Sequence, residues 1–402
     1  MRLKTLLLTV FLVLITLCAP AQSSVEIRRA VSSIGELEFK KDVQISYLDR
    51  RALERYLEEI YAIDYSPETA AIDALFLELM GFSSDITDLH RIRRQLILEN
   101  AGGFYNEKSA ELVVLKEFKD IPSFHGPILA HELRHAVQDQ HFSLRRLLGD
   151  YSDFDDRRLA VLAALEGDAT LLMLRFMGLD PGAFSSSLSP QSLLGLTSAG
   201  FSPSLHTAPA ILRHQLVMPY GIGLRFVSAI ARKGKWSAIN RMLAAPPDST
   251  AQLIDPAKYL KKWRPARVTV DYAPAGLAEL SRGVVGEYNL NVLLDPENPK
   301  LEAARGWNGD AYALFSDGHG QLLYWKSCWQ KKKTAESFLA SFRAFLENSL
   351  ELDFRSTVVP GLLRAASAGE LFLLAGRGDR LVYVRTNRFD LEDDILSGGL
   401  HD

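Results

Sequence analysis

The chain has 402 residues, 47% hydrophobic and 24% charged, which is enough apolar material for a sizeable core and enough length for two domains. A formal net charge of -3 and a pI near 6.3 exclude the electrostatic footprint of a nucleic-acid binder, so no nucleic acid is expected as a partner. Cys18 and Cys328 are the two cysteines, which excludes a disulfide-stapled scaffold.

Arg2 and Lys4 precede an apolar stretch over residues 6–17, followed by Ala19-Pro20-Ala21. This is the layout of a secretory signal over residues 1–21. As a helix the stretch spans about 18 Å, short of a bilayer core of roughly 30 Å. Export to the periplasm or beyond is the expectation, with a membrane partner only where the signal stays uncleaved. Leu17 stands before Cys18, where a lipid-attachment site calls for a small residue. Residues 22–48 are long enough to raise the question of an inhibitory pro-segment.

A first helix is expected over residues 49–63, with Leu53, Tyr56, Leu57 and Ile60 at helical spacing. Ser66 caps a second, with Pro67 in its first turn, running to Met80 and stopped by Gly81. A third covers residues 85–99 and ends at Gly102-Gly103. The period then changes. Phe104-Tyr105-Asn106, a polar turn and residues 111–115 read as a β-hairpin. A helix is expected from near Pro127 to about His141, and a longer one over residues 155–177. Residues 181–204 are rich in Ser, Pro and Gly and read as a loop or lid. Helices follow over residues 208–217, 221–232 and 235–244. Beyond a boundary near residue 265 come short strands at 268–270, 311–315, 322–325 and 380–384, with an amphipathic helix at 335–350. The fold class is thus α+β: a mainly α-helical domain over residues 22–265 with a hairpin before its central helix, then a smaller α+β domain over 266–402. Cys328, Trp307, Asp310, Tyr324, Trp325 and Trp329 in the second domain read as structural.

The chemistry-bearing run is His131-Glu132-Leu133-Arg134-His135. On a helix, residues four apart are offset by about 40° and rise about 6 Å, so both imidazoles can reach one zinc ion. Glu132 projects about 100° from His131 and can lean beside the metal without binding it. There it can move a proton for an attacking water. A catalytic zinc site needs a third protein ligand and an open position. Glu166, on the next helix, emerges from a face shared with Ala163, Thr170 and Met173, and a lone acid on so apolar a surface calls for a partner. Asp168 is the rival and points roughly 200° away; His125 and His141 are further alternatives. Gln138, Asp139 or Asp168 can accept the second N–H of a ligating imidazole.

The run from His131 to Phe142, followed by Glu166-Gly167-Asp168-Ala169-Thr170, resembles a family of bacterial and archaeal zinc metallopeptidases of the gluzincin type. Gly103-Phe104-Tyr105-Asn106, Met218-Pro219-Tyr220-Gly221, Pro246-Pro247-Asp248-Ser249-Thr250 and residues 304–310 are similar to it too. The resemblance implies a zincin-like catalytic domain, Zn2+ held by His131, His135 and Glu166, and Glu132 as general base and acid. It also implies a peptide or protein substrate laid along an exposed strand, for which the hairpin is the candidate. Tyr220, His206, His214 and Tyr105 are candidate donors to the oxyanion, with Tyr220 preferred. Where the family carries an acid and then a histidine after Ser249-Thr250, this chain has Ala251 and Asp255. The expectation is an exported zinc metallopeptidase. The alternatives are a zinc hydrolase of another amide, such as cell-wall material, and a non-catalytic metal-binding scaffold.

Overall fold

The computed structural model describes residues 6–10, 22–83, 86, 88–181 and 203–399. Its first helix, α1 (Ser24–Gly35), is set by a capping box in which Ser23 and Glu26 satisfy each other's backbone amides. Ile27 and Val31 are buried in the core, and the carbonyl of Gly35 accepts from Asn240 at 3.0 Å. The segment suspected as a pro-segment is therefore built into the domain. Helices α2 (Arg50–Asp64), α3 (Pro67–Met80) and α4 (Leu89–Asn100) follow. Ser66 caps α3 and Gly81 ends it at φ +93°, both as expected. The third helix starts later than residue 85, because Asp88 caps it through the amide of Arg91.

The hairpin forms as β3 (Ala101–Asn106) and β4 (Glu111–Leu115). Two strands flank it, giving a four-stranded sheet in the order β1-β3-β4-β2. Here β2 (Gln44–Leu48) runs parallel to β4, and β1 (Leu6–Val10) pairs antiparallel with β3, Leu7 opposite Tyr105. Part of the expected signal is therefore a strand on the hairpin edge; residues 1–5 and 11–21 lie outside the described set. No described helix is long and apolar enough to cross a membrane.

Three helices build the centre. The motif helix α5 (Pro122–Phe142) begins one turn and more before the expected start. Pro122 occupies its first turn, where an N–H has no helical partner, and Pro127 sits inside. The next, α6 (Asp156–Phe176), is capped by Asp155. Residues 210–231 form one helix, α7 (Ala210–Ala231), rather than two, with Pro219 inside it. Its neighbour is a helix whose backbone comes close enough to bury the run fully, so packing outweighs the hydrogen bond that Pro219 cannot make. Helix α8 (Lys235–Ala244) matches its expected bounds. The loop expected over residues 181–204 lies almost wholly outside the described residues.

The C-terminal part is a seven-stranded antiparallel sheet, β5-β6-β7-β11-β10-β9-β8. Its members are β5 (Ala278–Gly283), β6 (Trp307–Ser316), β7 (Gln321–Trp329), β8 (Arg355–Ser356), β9 (Leu362–Ser367), β10 (Glu370–Arg377) and β11 (Arg380–Thr386). Helices α9 (Gly286–Leu294) and α10 (Lys332–Leu350) accompany it. Residues 268–270 are not a strand: they carry no ladder. The architecture is α+β in two parts, yet one hydrophobic cluster runs through both. Phe76 of α3 stacks on Tyr312 of β6 with centroids 4.2 Å apart, and the Tyr383 hydroxyl donates to the carbonyl of Leu79.

Candidate metal centre

Helices α5 and α6 face each other and bring three Lewis bases to one point. Nε2 of His131 lies 3.0 Å from Nε2 of His135 and 3.1 Å from Oε2 of Glu166, and the His135–Glu166 separation is 3.5 Å. Ligand atoms on a tetrahedral zinc with bonds near 2.1 Å stand about 3.4 Å apart. The three are a group that can hold a metal ion. His131, Glu132 and His135 are each 0% exposed and Glu166 is 2% exposed, so the centre is sealed from solvent.

The electrostatics of the group suit a cation. Burial by itself pushes the Glu166 carboxyl up, but the two imidazoles overcome it and hold it at about 2. Burial pulls His135 down, and the charge of Glu166 together with its hydrogen bond outweighs this and raises it to about 9. His131 is lowered, first by burial and further by the neighbouring His135. An ionised carboxylate between two buried imidazoles is thus a donor set that could hold a metal ion.

A ring of buried polar groups fixes the ligands. Nδ1 of His135 meets Oε1 of Gln138 at 2.8 Å. The Gln138 amide donates to Asp168 at 2.8 Å and to the carbonyl of Leu165 at 3.0 Å. Asp168 in turn accepts from Nε of Arg134 at 2.7 Å, and Arg134 donates to Asn240 of α8 at 2.9 Å. Asp168 is thus excluded as the third ligand and orients His135 through Gln138. Asp139 faces away, accepting from the Tyr105 hydroxyl at 3.0 Å and the amide of Leu144. Nδ1 of His131 has no hydrogen-bond partner among the described residues. His125 is engaged with Tyr47 and His141 with the carbonyl of Glu38, which removes both from the ligand set.

Of the oxyanion candidates, Tyr220 is the one beside the centre: its ring centroid is 6.3 Å from that of His131. Tyr105 is held by Asp139, and His214 is held by Tyr288 and the carbonyl of Pro296. The side chain of His206 lies outside the described set. Ala251 is buried in the core and Asp255 caps the short helix Pro256–Leu260. Glu132 packs against β3. A Cβ on Gly103 would stand 3.1 Å from Cγ2 of Ile128 and 3.4 Å from Cγ of Glu132, so the strand lies close against the helix and a side chain there would press on it.

Arg134 and Asn240 escaped the sequence reading. Arg134 sits at an unspecified position of the motif, and nothing local marks it as buried; its partners, Asp168, Asn240 and the carbonyl of Gly35, come from three other helices.

Residues 275–395 match a family model described as a domain of unknown function, DUF8575. No curated protein and no solved structure matches the chain.

Proposed function

We propose that this chain is an exported zinc metallopeptidase of the gluzincin type. The observation that carries the reading is the convergence of His131, His135 and Glu166 with an adjacent buried carboxylate, Glu132, that lies outside the ligand group. A zinc ion in this group would supply Lewis acidity, polarising the scissile carbonyl and acidifying a water. Glu132 takes the proton of the attacking water and passes it to the leaving amine. Tyr220 donates towards the carbonyl oxygen as charge builds there. Gln138, with Asp168 and Arg134 behind it, holds His135 in its ligating orientation. The substrate backbone pairs with the edge of β3 that Leu6–Val10 occupies, so removal of residues 1–21 frees the edge for it.

The sealing of the centre favours a second reading, a buried metal centre without turnover. The assay that separates the two uses zinc-loaded protein lacking residues 1–21 on an unstructured protein substrate, beside its Glu132→Gln variant. The peptidase reading expects cleavage by the parent and none by the variant at equal zinc content. Zinc-loaded parent that leaves protein intact, or cleaves no faster than Glu132→Gln, refutes it. Release of fragments from cell-wall material instead would move the reading to another amide.

A further inference from the structure

Arg134 lies in the middle of the motif helix with 0% exposure, and a buried guanidinium needs acceptors along its whole fork. Three helices supply them. Nε donates to Asp168 of α6 at 2.7 Å, Nη2 to Oδ1 of Asn240 of α8 at 2.9 Å, and Nη1 to the carbonyl of Gly35 at 3.4 Å. Asn240 in turn donates through Nδ2 to the same carbonyl at 3.0 Å, which fixes its amide with the oxygen towards Arg134. Gly35 ends α1, so its carbonyl has no intrahelical partner and carries the partial negative charge of a helix C-terminus. Glu36 then turns left-handed at φ +52° and leads the chain alongside the motif helix. There the Gln140 side chain accepts from the amides of Lys40 and Lys41 at 2.7 and 3.1 Å, and His141 meets the carbonyl of Glu38 at 2.8 Å. The end of α1 and the segment after it are thus tied to α5 from Arg134 to His141.

Arg134 also stands at the far end of the chain of bonds that reaches His135. The Gln138 amide has one orientation, because its nitrogen donates to Asp168 and to the carbonyl of Leu165. Its oxygen therefore faces Nδ1 of His135 and accepts its proton, so Nε2 is the nitrogen turned to His131 and Glu166. Asp168 takes that amide on the same Oδ2 that takes Nε of Arg134. A shift of the guanidinium consequently moves the carboxylate, the amide and the imidazole in turn. The fit at its other end is close: a Cβ on Gly35 would stand 2.5 Å from Nη1 of Arg134 and 3.2 Å from Cδ1 of Leu172.

We infer that Asn240 and Gly35 are positioning residues for the metal ligand His135, acting through Arg134, Asp168 and Gln138 from two helices that contribute nothing to the centre itself. This role rests on the reading of His131, His135 and Glu166 as ligands. The test follows zinc affinity by chelator competition and the Nδ1 proton resonance of His135, assigned by its loss in His135→Asn, in the full chain. Asn240→Ala is expected to weaken zinc binding about threefold or more and to shift the resonance, with melting still cooperative. In a Gln138→Ala background, where the link to His135 is cut, Asn240→Ala is expected to weaken binding no further. Ile239→Val, a truncation in the buried face of the same helix, is expected to lower the melting temperature and leave affinity and resonance in place. Unchanged affinity and resonance in Asn240→Ala, an equal loss in the Gln138→Ala background, or the same loss in Ile239→Val would each overturn the role. Should Asn240→Ala fail to fold, Gly35→Ala, which presses on the guanidinium from the other side, goes through the same comparison. A parent that takes up no zinc sinks the metal reading, and the His135 resonance of the metal-free chain then decides the positioning by itself.

Discussion

Adjacent residues on α5 face different demands, and single substitutions separate them. His131 and His135 point at Glu166, whereas Glu132 turns towards β3 beside Gly103. Glu132→Gln removes a proton carrier and no ligand. Activity is expected to fall by about 10²–10⁴-fold with metal content unchanged, read by initial rates beside elemental analysis. Gln138 is the sole link between His135 and the Asp168–Arg134 pair among the described hydrogen bonds. Gln138→Ala is expected to weaken metal affinity by about 10–100-fold in a chelator competition, and an unchanged affinity would show that the ring plays no orienting part. The grouping of the three candidate ligands was legible because helical geometry is local: spacing four places two imidazoles on one face, and an acid on an apolar face needs a partner. Arg134 and Asn240 were not legible, since their roles exist only once α5, α6 and α8 are packed.

At the level of elements, the centre depends on how closely α6 and α7 approach. A Cβ on Gly167 would run into the backbone of Gly223, and one on Gly223 into the carbonyl of Ala163. The two backbones touch there without side chains between them. Glu166 sits one residue before the first glycine and Tyr220 one turn before the second, so this contact sets Tyr220 against His131. Gly223→Ala is expected to separate the helices at a cost of about 1–3 kcal/mol or more, seen as a lower melting temperature with weakened metal binding. A variant as stable as the parent would show that the helices have room to move. Most helix ends were legible where a cap or glycine marks them, as at Ser66, Gly81 and Asp155. Internal prolines misled the reading at Pro127 and Pro219, because tertiary packing tolerates what local rules penalise. The strands β5, β9 and β10 were missed; β5 is largely exposed, and an edge strand with little apolar alternation leaves a weak signal.

Across the whole molecule, a buried polar hub joins the two parts. Asp156, at the start of α6, accepts from the amide and hydroxyl of Thr250. Asp310 of β6 accepts from the amides of Val285 and Gly286 and from the Trp307 indole. Gly286 at φ +82° has no room for a Cβ beside Asp156. Burial raises Asp156 to about 8 and Asp310 to about 6. Such a carboxyl stays protonated in the fold while the unfolded chain ionises near pH 4, so its stability contribution is full below pH 4 and is lost as pH rises to the folded value. Between pH 6 and 8 the slope due to Asp156 is what remains of the two. Asp156→Asn keeps an acceptor without the charge, and its melting temperature is expected to fall less over that range than the parent's; parallel curves would contradict the assignment. The hub also explains why the junction was read from sequence only as a boundary near residue 265. Its members lie at 155–156, 249–250, 284–287 and 307–310, and no single window shows them together.

The central claim is one metal ion on His131, His135 and Glu166, and elemental analysis of the purified chain beside Glu166→Ala tests it most directly. One equivalent of zinc in the parent, and none in a variant whose circular dichroism and melting remain cooperative, is the predicted result. A parent that purifies folded without stoichiometric metal and takes up none on zinc addition, or a variant that retains a full equivalent, would contradict it.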